Sequence, residues 1–473
     1  MILSILKRTK KQSNDPKATR DGVKLNLWVW LVIFIPISLV YYSLNDPTDG
    51  WLNWYLSFVW SFDIIPSFLG IAGAILFIRA KKQKKVLVKR STHVHKQVVF
   101  LIPSICRDDT IPALCRVIDS ILKHAPDYLE NWRIDIVTEE GAQGLTRLKQ
   151  IYSFSNVRIL VVPTKYKTPN GTKYKARANQ YSLEIRRANG ENKSDVFVYH
   201  LDDDTAVGAD TVQSIAQFIL NDRGQYHAAQ GVLTFPWQLS RSFLTRMADS
   251  IRPADDLTRF YFFTGYLGKP LVGFHGEHLL LRASVEDEIG WDFGPKVKVE
   301  DAYFALYFNQ HYSGKSTFLD SCTYGASPET VKDLIKQRRR WAAGLLGLLF
   351  DPTLKGKPRW LMAIFVTNWV LSPMRHLMPV FIVAMIIGAT TSPVSQWVVF
   401  IWTLGFATWI WQYFEGLRIN LSVSEPRRHY LLYACTLFPL FFIITMIETV
   451  AVAAGFYDFS RGKQSFEVIS KSY

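Results

Sequence analysis

The stretch DVFVYHLDDDTAVG, residues 195–208, places three consecutive carboxylates directly after a run of strand-forming residues. From Lys96 to this stretch, short β-rich runs and helical patterns follow one another in the order strand, helix, strand, strand, helix, strand. That order predicts an α/β domain with a mainly parallel sheet, in which ligands bind outside the carboxyl ends of the strands. The acidic run stands at such an end, which favours a functional role over a buried structural one.

The three acids repel each other unless a cation shares their charge. A strand-end D-x-D suits Mg²⁺ or Mn²⁺ carrying phosphates, because such ions bind through one or two carboxylates plus substrate oxygens. We therefore expect Asp202 and Asp204 to hold a divalent cation, with Asp204 as the direct ligand. For this motif alone a second interpretation stays open, in which a solvated acidic turn caps the helix that begins near residue 209.

The composition indicates that part of the chain lies in a bilayer. The protein has 473 residues, 14% of them aromatic, and a net charge of +15. Several apolar stretches have the length of a membrane span, and the basic excess is heaviest beside them. An anionic lipid leaflet is a simpler partner for that charge than nucleic acid, so we expect no nucleic-acid binding. The four cysteines show no metal-ligand spacing and are expected to be reduced thiols.

Basic flanks predict the orientation of the apolar segments. Residues 1–25 and 79–90 each carry seven Lys or Arg, whereas the link at 45–50 carries none, so both flanks are expected in the cytosol and no cleaved signal peptide is expected. The last apolar stretch leaves a single span and a re-entrant arrangement open. In chain order the predicted parts are a basic cytosolic N-terminus (1–25), a transmembrane hairpin (26–80), the α/β domain (96–352), an interfacial helix (353–376), C-terminal transmembrane or re-entrant helices (377–456) and a cytosolic tail (457–473).

Further motifs follow the acidic run in a recognisable order. They include VVFLIPSICRDD, VTEE, KARANQY, KVEDAYFALYF and QRRRW, all between residues 97 and 341. This series resembles a membrane-embedded family 2 glycosyltransferase of the GT-A fold, with more distant similarity to cellulose, chitin and hyaluronan synthases. The resemblance implies a nucleotide-sugar donor. It implies donor contacts from Glu139, beside Glu140, and from Lys175, Asp202, Asp203, Gln337 and Arg340, and acceptor contacts from Gly276, Glu277, Glu300 and Trp341.

The pair Glu300 and Asp301 matches the acidic pair of that family, in which the second acid is the general base. Displacement with inversion needs a base on the face opposite the leaving diphosphate, and a carboxylate within hydrogen-bond reach can serve. The resemblance therefore assigns catalysis to Asp301. Taken alone, the pair also fits an acidic first turn of an amphipathic helix.

QRRRW, residues 337–341, matches the Q-x-x-R-W signature of the membrane-embedded members. Gln337, Arg340 and Trp341 fall on one side of a helix by the i, i+3, i+4 rule, so that face can offer an indole platform and a guanidinium. As a bare pattern it also fits a juxtamembrane basic patch. The C-terminal FEVISK, residues 466–471, resembles a gating loop, with Ile469 where Thr is usual.

Within that family the chain resembles the Egghead group, membrane β-1,4-mannosyltransferases that use GDP-mannose and glycolipid acceptors. It has HGEH at 275–278, where many relatives have Gly-Ser, so Glu277 or His278 can contact a sugar or simply pack. The expected function is inverting, metal-dependent transfer of one hexose to a lipid-linked or glycan acceptor at the cytosolic face of a multi-pass membrane protein. The alternatives are a processive synthase that extrudes a polymer, and a transport or scaffold protein that only binds cations.

Overall fold

The central sheet carries its parallel half near the start of the α/β domain. The computed structural model describes residues 23–44, 64–82, 94–221, 223–354, 357–370, 387, 396–424 and 430–462. The strands are β1 Val98–Pro103, β2 Trp132–Glu139, β3 Val157–Val162, β4 Phe197–His200, β5 Ala206–Val207, β6 Ala228–Thr234, β7 Leu279–Arg282 and β8 Ser316–Tyr324.

The strand order is β3-β2-β1-β4-β7-β6-β8-β5. Neighbours among β1 to β4 are parallel, as are β6 and β8, whereas β7 runs antiparallel to both β4 and β6, and β5 runs antiparallel to β8. Within the described residues, four of the seven strand pairs are therefore parallel. The predicted α/β domain with a mainly parallel sheet is confirmed, and the sheet is mixed because β7 enters between two parallel blocks.

Helices cover both faces of the sheet and extend beyond it. They are α1 Trp28–Leu44, α2 Ile64–Lys82, α3 Ile111–His124, α4 Leu145–Ile151, α5 Tyr174–Ala188, α6 Ala209–Asn221, α7 Phe243–Ala248, α8 Arg252–Asp255, α9 Ala283–Ile289, α10 Glu300–Tyr312, α11 Val331–Leu349, α12 Lys357–Val370, α13 Gln396–Ser422 and α14 Tyr430–Ser460, with a π-helix at Asp256–Tyr266.

The alternation of side chains along β1 divides the core between two layers of helices. Phe100 on one face packs in a buried cluster with α3 and α6. Leu101 on the other face packs with Ala178 of α5. The sequence pattern placed β2 and β3 in direct succession, but α4 lies between them. Parallel neighbours need a crossover connection, and α4 supplies it.

The four helices α1, α2, α13 and α14 occupy the positions of predicted apolar segments. Among the described residues, α2 and α14 are each long and apolar enough to cross a membrane, and α1 has a shorter apolar part, Trp28–Leu39. The α14 helix is continuous over 31 residues although it contains Pro439. Residues 45–63 of the predicted hairpin, most of residues 377–395 of the predicted C-terminal helices, and FEVISK lie outside the described residues.

The segment from α7 through the π-helix joins the sheet to the apolar helices. Two glycines make the approach possible: Gly73 of α2 packs on the carbonyl of Thr258, and Gly416 of α13 packs on the carbonyl of Ser250. A Cβ at either glycine would overlap that backbone. The α/β domain is therefore held against the apolar helices by direct backbone contacts.

Candidate active site

The carboxyl ends of β1, β2 and β4 meet at one edge of the sheet. These strands are parallel and in register, so Ser104 after β1, Glu139 at the end of β2 and Asp202 after β4 lie in the same region. A cavity of about 1680 Å³ opens there. Most of the site residues predicted from the sequence line it: Glu139, Lys175, Asp202, Asp203, Asp204, Gly276, Glu277, Glu300, Asp301, Gln337, Arg340 and Trp341.

The acidic turn after β4 is anchored from two sides. Ser104 Oγ donates a hydrogen bond to Oδ2 of buried Asp203 at 2.7 Å. Arg116 of α3 donates from Nη2 to the carbonyl oxygen of Asp204 at 3.1 Å. Asp202 is ion-paired with Lys175. Asp203 therefore fixes the turn, while the Asp202 and Asp204 carboxylates border the cavity.

Lys175 links this turn to the chain segment before β7. Its Nζ donates to Asp202 and to the carbonyl oxygen of Gly276, the latter at 3.2 Å. Burial lowers the pKa of Lys175, but Asp202 and Glu300 outweigh burial and raise it, so the ammonium stays charged. A Cβ on residue 276 would lie 2.9 Å from Nζ, so glycine permits this close approach.

Asp301 lies in the first turn of α10 and faces the same lysine. The N–H of Gly276 donates to its Oδ2 at 3.2 Å, and the N–H of Ala302 donates to its Oδ1 at 2.9 Å. Burial raises the pKa of Asp301 above its usual value, while Lys175 and the two N–H groups oppose that rise. The carboxylate is thus oriented and partly desolvated, which are the properties of a general base.

Two further acidic residues, Glu277 and Glu300, line the cavity near the acidic turn. Burial raises the pKa of Glu277 to about 7, with Arg252 opposing and Asp202 and Asp204 adding to the rise. Burial also raises the pKa of Glu300 to about 7, against the attraction of Lys175. Thr205 Oγ1 donates to Oε2 of Glu277 at 3.3 Å, which fixes this acid beside the acidic turn.

The donor set fits a hard divalent cation. Asp202, Asp204 and Glu277 concentrate oxygen ligands and negative potential at one end of the cavity, and a cation there would offset the repulsion that adds to the effect of burial on the pKa of Glu277. In the described residues no three His, Cys, Asp or Glu side chains form a complete cage. An ion held by one or two carboxylates and by substrate oxygens does not need such a cage.

The Q-x-x-R-W helix, α11, closes another side. Two guanidinium groups contact the Trp341 ring, with the guanidinium carbons of Arg252 and Arg338 at 5.0 Å and 4.4 Å from its centroid. Burial lowers the pKa of Arg340, while Glu300 and Asp202 counteract that effect. The predicted face of Gln337, Arg340 and Trp341 does point into the cavity, which separates it from a surface basic patch.

Three arginines near the site were not anticipated. Arg177 holds Glu139 with an Nη1 to Oε1 distance of 2.6 Å, Arg116 supports the acidic turn, and Arg252 lies 3.5 Å from Glu277. Arg177 is part of KARANQY, so that motif contained a signal. The other two come from distant helices and depend on the tertiary fold.

Two candidate residues lie outside the cavity lining. Glu140 lies at the surface, where its Oε2 accepts a hydrogen bond from the backbone N–H of Thr164 at 2.8 Å. His278 is fully buried and contacts the hydroxyl of Tyr199 through Nδ1 at 2.6 Å. Of the two roles considered for residues 277 and 278, packing applies to His278, while Glu277 lines the cavity.

The cavity does not end at the charged residues. It continues between α12, α13 and α14, where its lining becomes aromatic and apolar. Residues of that part include Phe365, Trp402, Trp409, Phe441 and Phe442. One cavity therefore joins a polar carboxylate end to an apolar end among the helices of the predicted membrane region.

Comparisons with known proteins agree with these features. Residues 197–413 match the family model described as glycosyl transferase family group 2. The chain is 32% identical over 248 residues to β-1,4-mannosyltransferase egh of Drosophila melanogaster, a match that covers 52% of this chain and 51% of that protein. It is 28% identical over 421 residues to β-1,4-mannosyltransferase bre-3 of Caenorhabditis elegans, covering 86% of each.

The chain thus spans about half the length of the fly relative in that match. Among solved structures, a mannosyltransferase from Pyrobaculum calidifontis in complex with GDP-Man and Mn²⁺ has a TM-score of 0.46 at 15% identity, covering 85% of this chain and 99% of that one. The family match and the two curated relatives confirm the resemblance to family 2 glycosyltransferases.

Proposed function

We propose that this chain, a member of the family 2 glycosyltransferases, transfers one hexose from a nucleotide sugar to a lipid-linked or glycan acceptor. Mannose from GDP-mannose is the favoured donor, by similarity to two relatives that carry the name β-1,4-mannosyltransferase. The observation that carries the proposal is the cavity in which the acidic turn and Asp301 face the same lysine, Lys175.

The chemical step follows from that placement. Asp301 takes the proton of the acceptor hydroxyl, and the hydroxyl oxygen forms a bond to the anomeric carbon. The bond from that carbon to the diphosphate breaks, and the nucleoside diphosphate leaves with the electron pair. Since the base and the leaving group act on opposite faces of the sugar, the configuration inverts. Holding both substrates in line supplies much of the rate enhancement.

Positive side chains stabilise the departing diphosphate. Lys175 and Arg340 both line the cavity, and both interact with Asp202 and Glu300. Asp202 and Asp204 are the residues that would hold Mg²⁺ or Mn²⁺, which when bound would supply Lewis-acid neutralisation of the phosphates. Glu139 ends β2 and lines the cavity, as does Trp341. In this proposal Glu139 contacts the nucleoside and Trp341 contacts the acceptor sugar.

The apolar end of the cavity supports an acceptor with a hydrophobic part. An acceptor whose sugar lies at Asp301 and whose chain lies between α12, α13 and α14 would use both ends at once. We accordingly place the enzyme in a membrane as a multi-pass protein with its catalytic domain in the cytosol, which agrees with the basic flanks of the first two apolar segments. Terminal epitope tags in sealed vesicles, probed with an impermeant protease, would test this orientation.

A processive synthase is a second candidate because its growing polymer would also need a path between membrane helices. The continuation of the cavity among α12, α13 and α14 is the observation that favours it. Product length on one acceptor separates the two functions. A single added hexose supports simple transfer, whereas a ladder of products supports a synthase.

The direct test uses purified full-length protein with a panel of GDP- and UDP-sugars, Mg²⁺ or Mn²⁺, and glycolipid acceptors, with released nucleotide as the readout. We expect release from GDP-mannose that depends on both acceptor and metal. No turnover with any donor, together with unchanged behaviour of Asp301→Asn in cation binding, would instead support a transport or scaffold role.

A further inference from the structure

Arg338, the second residue of QRRRW, contacts two residues of the motif on either side of it. Its Nη1 donates to Oε1 of Gln337 at 3.0 Å, and its guanidinium carbon lies 4.4 Å from the ring centroid of Trp341. The side chain is only 5% exposed, so both contacts are shielded from water. Arg338 itself also lines the cavity, and through these two contacts it supports the neighbouring motif side chains Gln337 and Trp341.

Two acids from other parts of the chain hold this guanidinium. Nη2 donates to Oδ1 of Asp249 at 2.6 Å, and Nε donates to Oε1 of Glu448 at 2.8 Å. Asp249 belongs to the 3₁₀ turn directly before α8, which carries Arg252, the second guanidinium at Trp341. Glu448 belongs to α14.

The geometry of arginine makes these contacts interdependent. A guanidinium is planar and presents its N–H groups in a fixed fork, so fixing three of its nitrogens fixes the plane that faces the indole. The three partner groups come from α11, the 3₁₀ turn and α14, and all three elements meet at this one side chain. A lysine has a single nitrogen and cannot satisfy the same set.

We propose that Arg338 is a positioning residue for the transfer reaction, which sets the plane of the Trp341 ring and the amide of Gln337 and ties both to Asp249 and Glu448. The inference rests on the proposed function for its effect on turnover. It assigns a role to a residue between the motif positions Gln337 and Arg340, and it makes Glu448 on an apolar helix part of the support of the acceptor platform.

The neighbouring Arg339 provides a matched control. It pairs with both carboxylate oxygens of Asp458, with Nη2 at 2.7 Å from Oδ1, and so joins the same two helices, α11 and α14. Its guanidinium is engaged by that acid, and Arg339 is not part of the cavity lining that the described residues form. If the arginines only hold α11 against α14, variants of either residue should change the kinetics. If Arg338 positions the Trp341 ring, only variants of Arg338 should change them.

The kinetic test compares Arg338→Lys, Arg338→Gln and Arg339→Gln in the full-length enzyme. Arg338→Gln should raise the acceptor KM roughly 3- to 30-fold, the range of a lost cation–π contact, and raise the donor KM less. Arg338→Lys keeps the charge but loses the fork that orients the ring, so it should raise the acceptor KM by a smaller factor. Arg339→Gln should keep both KM values within about twofold of wild type, because a partly exposed ion pair such as Arg339–Asp458 contributes little. Equal effects of the two glutamine variants would overturn the proposal.

Stability must be separated from positioning. Arg338→Gln leaves buried Asp249 and partly buried Glu448 without their partner, which destabilises folds. Arg338→Lys keeps the positive charge, and Glu448→Gln keeps a hydrogen-bond acceptor, so these two variants are expected to fold. If Arg338→Lys folds and has wild-type acceptor and donor constants, the fork is not required and the proposal is wrong.

A spectroscopic readout does not depend on turnover. Protein labelled with 5-fluorotryptophan gives a ¹⁹F resonance for Trp341 that is identified by its loss in Trp341→Phe. The resonance should shift in Arg338→Lys and stay in place in Arg339→Gln. If the wild-type protein transfers no sugar but the Trp341 resonance shifts in Arg338→Lys, the proposed function is wrong and the positioning role is supported. If the Trp341 resonance does not shift in Arg338→Lys, the positioning role is wrong at any level of activity.

Discussion

The backbone of Gly276 contacts Asp301 through its N–H, which donates to Oδ2 at 3.2 Å, while the carbonyl of Gly276 accepts from Nζ of Lys175. One peptide segment therefore orients the proposed base and the cation that also pairs with Asp202. This connection brings together acids that lie far apart in the sequence.

Replacing Asp301 with Asn should abolish most of the turnover. The change keeps the shape of the side chain but removes the group that accepts the acceptor's proton, so kcat should fall about 10²- to 10⁴-fold. Donor affinity, measured by calorimetry with GDP, should change little. Asp109→Asn, an exposed carboxylate outside the cavity, is the control. A variant at 301 with near-normal kcat would remove Asp301 from the mechanism.

The two glutamates at the carboxyl end of β2 should differ in their effect on donor binding. Glu139 lines the cavity and is held by Arg177, whereas Glu140 accepts from Thr164 at the surface. Glu139→Gln should weaken binding of the nucleotide by roughly 10- to 150-fold, as expected for one lost charged hydrogen bond. Glu140→Gln should bind it normally. Equal affinities for both variants would place the nucleoside elsewhere.

Much of this site was predictable because strand ends and short motifs are local features. The acidic turn follows β4 directly, and Gln337, Arg340 and Trp341 share one face of α11 by helix geometry alone. The arginines that support them were not predictable in the same way. Arg252 and Arg338 act through partners such as Glu277 and Glu448 that only the tertiary fold brings near.

The fold shows the same division between local and tertiary information. Alternating strand and helix patterns predicted the parallel block of the sheet. The antiparallel β7 and the π-helix Asp256–Tyr266 were not predicted, because their position depends on packing. The carbonyl of Thr258 in that π-helix meets Gly73 of α2, a contact between segments far apart in sequence.

Loss of the Asp204 carboxylate should weaken the binding of the activating metal. If Asp204 is a direct ligand, Asp204→Asn should raise the Mn²⁺ concentration for half-maximal rate by at least about tenfold, since even outer-sphere partners of a metal site contribute that much. Titration of activity with Mn²⁺ measures this shift. Asp195→Asn is a suitable control because Asp195 is exposed and precedes the start of β4, at the end of the strand away from the acidic turn. An unchanged titration for Asp204→Asn would argue against ligation.

The acid limb of the pH profile should be displaced upward. Burial raises the pKa of Asp301 above the ordinary 3.8 in the folded protein, and only the ionised form can act as the base. Activity is therefore present above the raised pKa and is lost as the pH falls through it. A profile of kcat/KM against pH reports this group in the free enzyme. An acid limb at or below 3.8 would contradict the burial of the base.

A methyl group at Gly416 should loosen the contact between α13 and the segment that carries Arg252. Its Cβ would overlap the carbonyl of Ser250, so Gly416→Ala should cost roughly 1–3 kcal/mol, the usual effect of overpacking. A methyl group at Gly347 in α11 would meet no described atom within 4 Å, so Gly347→Ala should instead gain up to about 1 kcal/mol from helix propensity. Thermal unfolding of the detergent-solubilised protein compares the two. Ser250 lies two residues before Arg252, so Gly416→Ala should also raise the acceptor KM. If this variant unfolds at the wild-type temperature and has a normal acceptor KM, the close packing does not position Arg252.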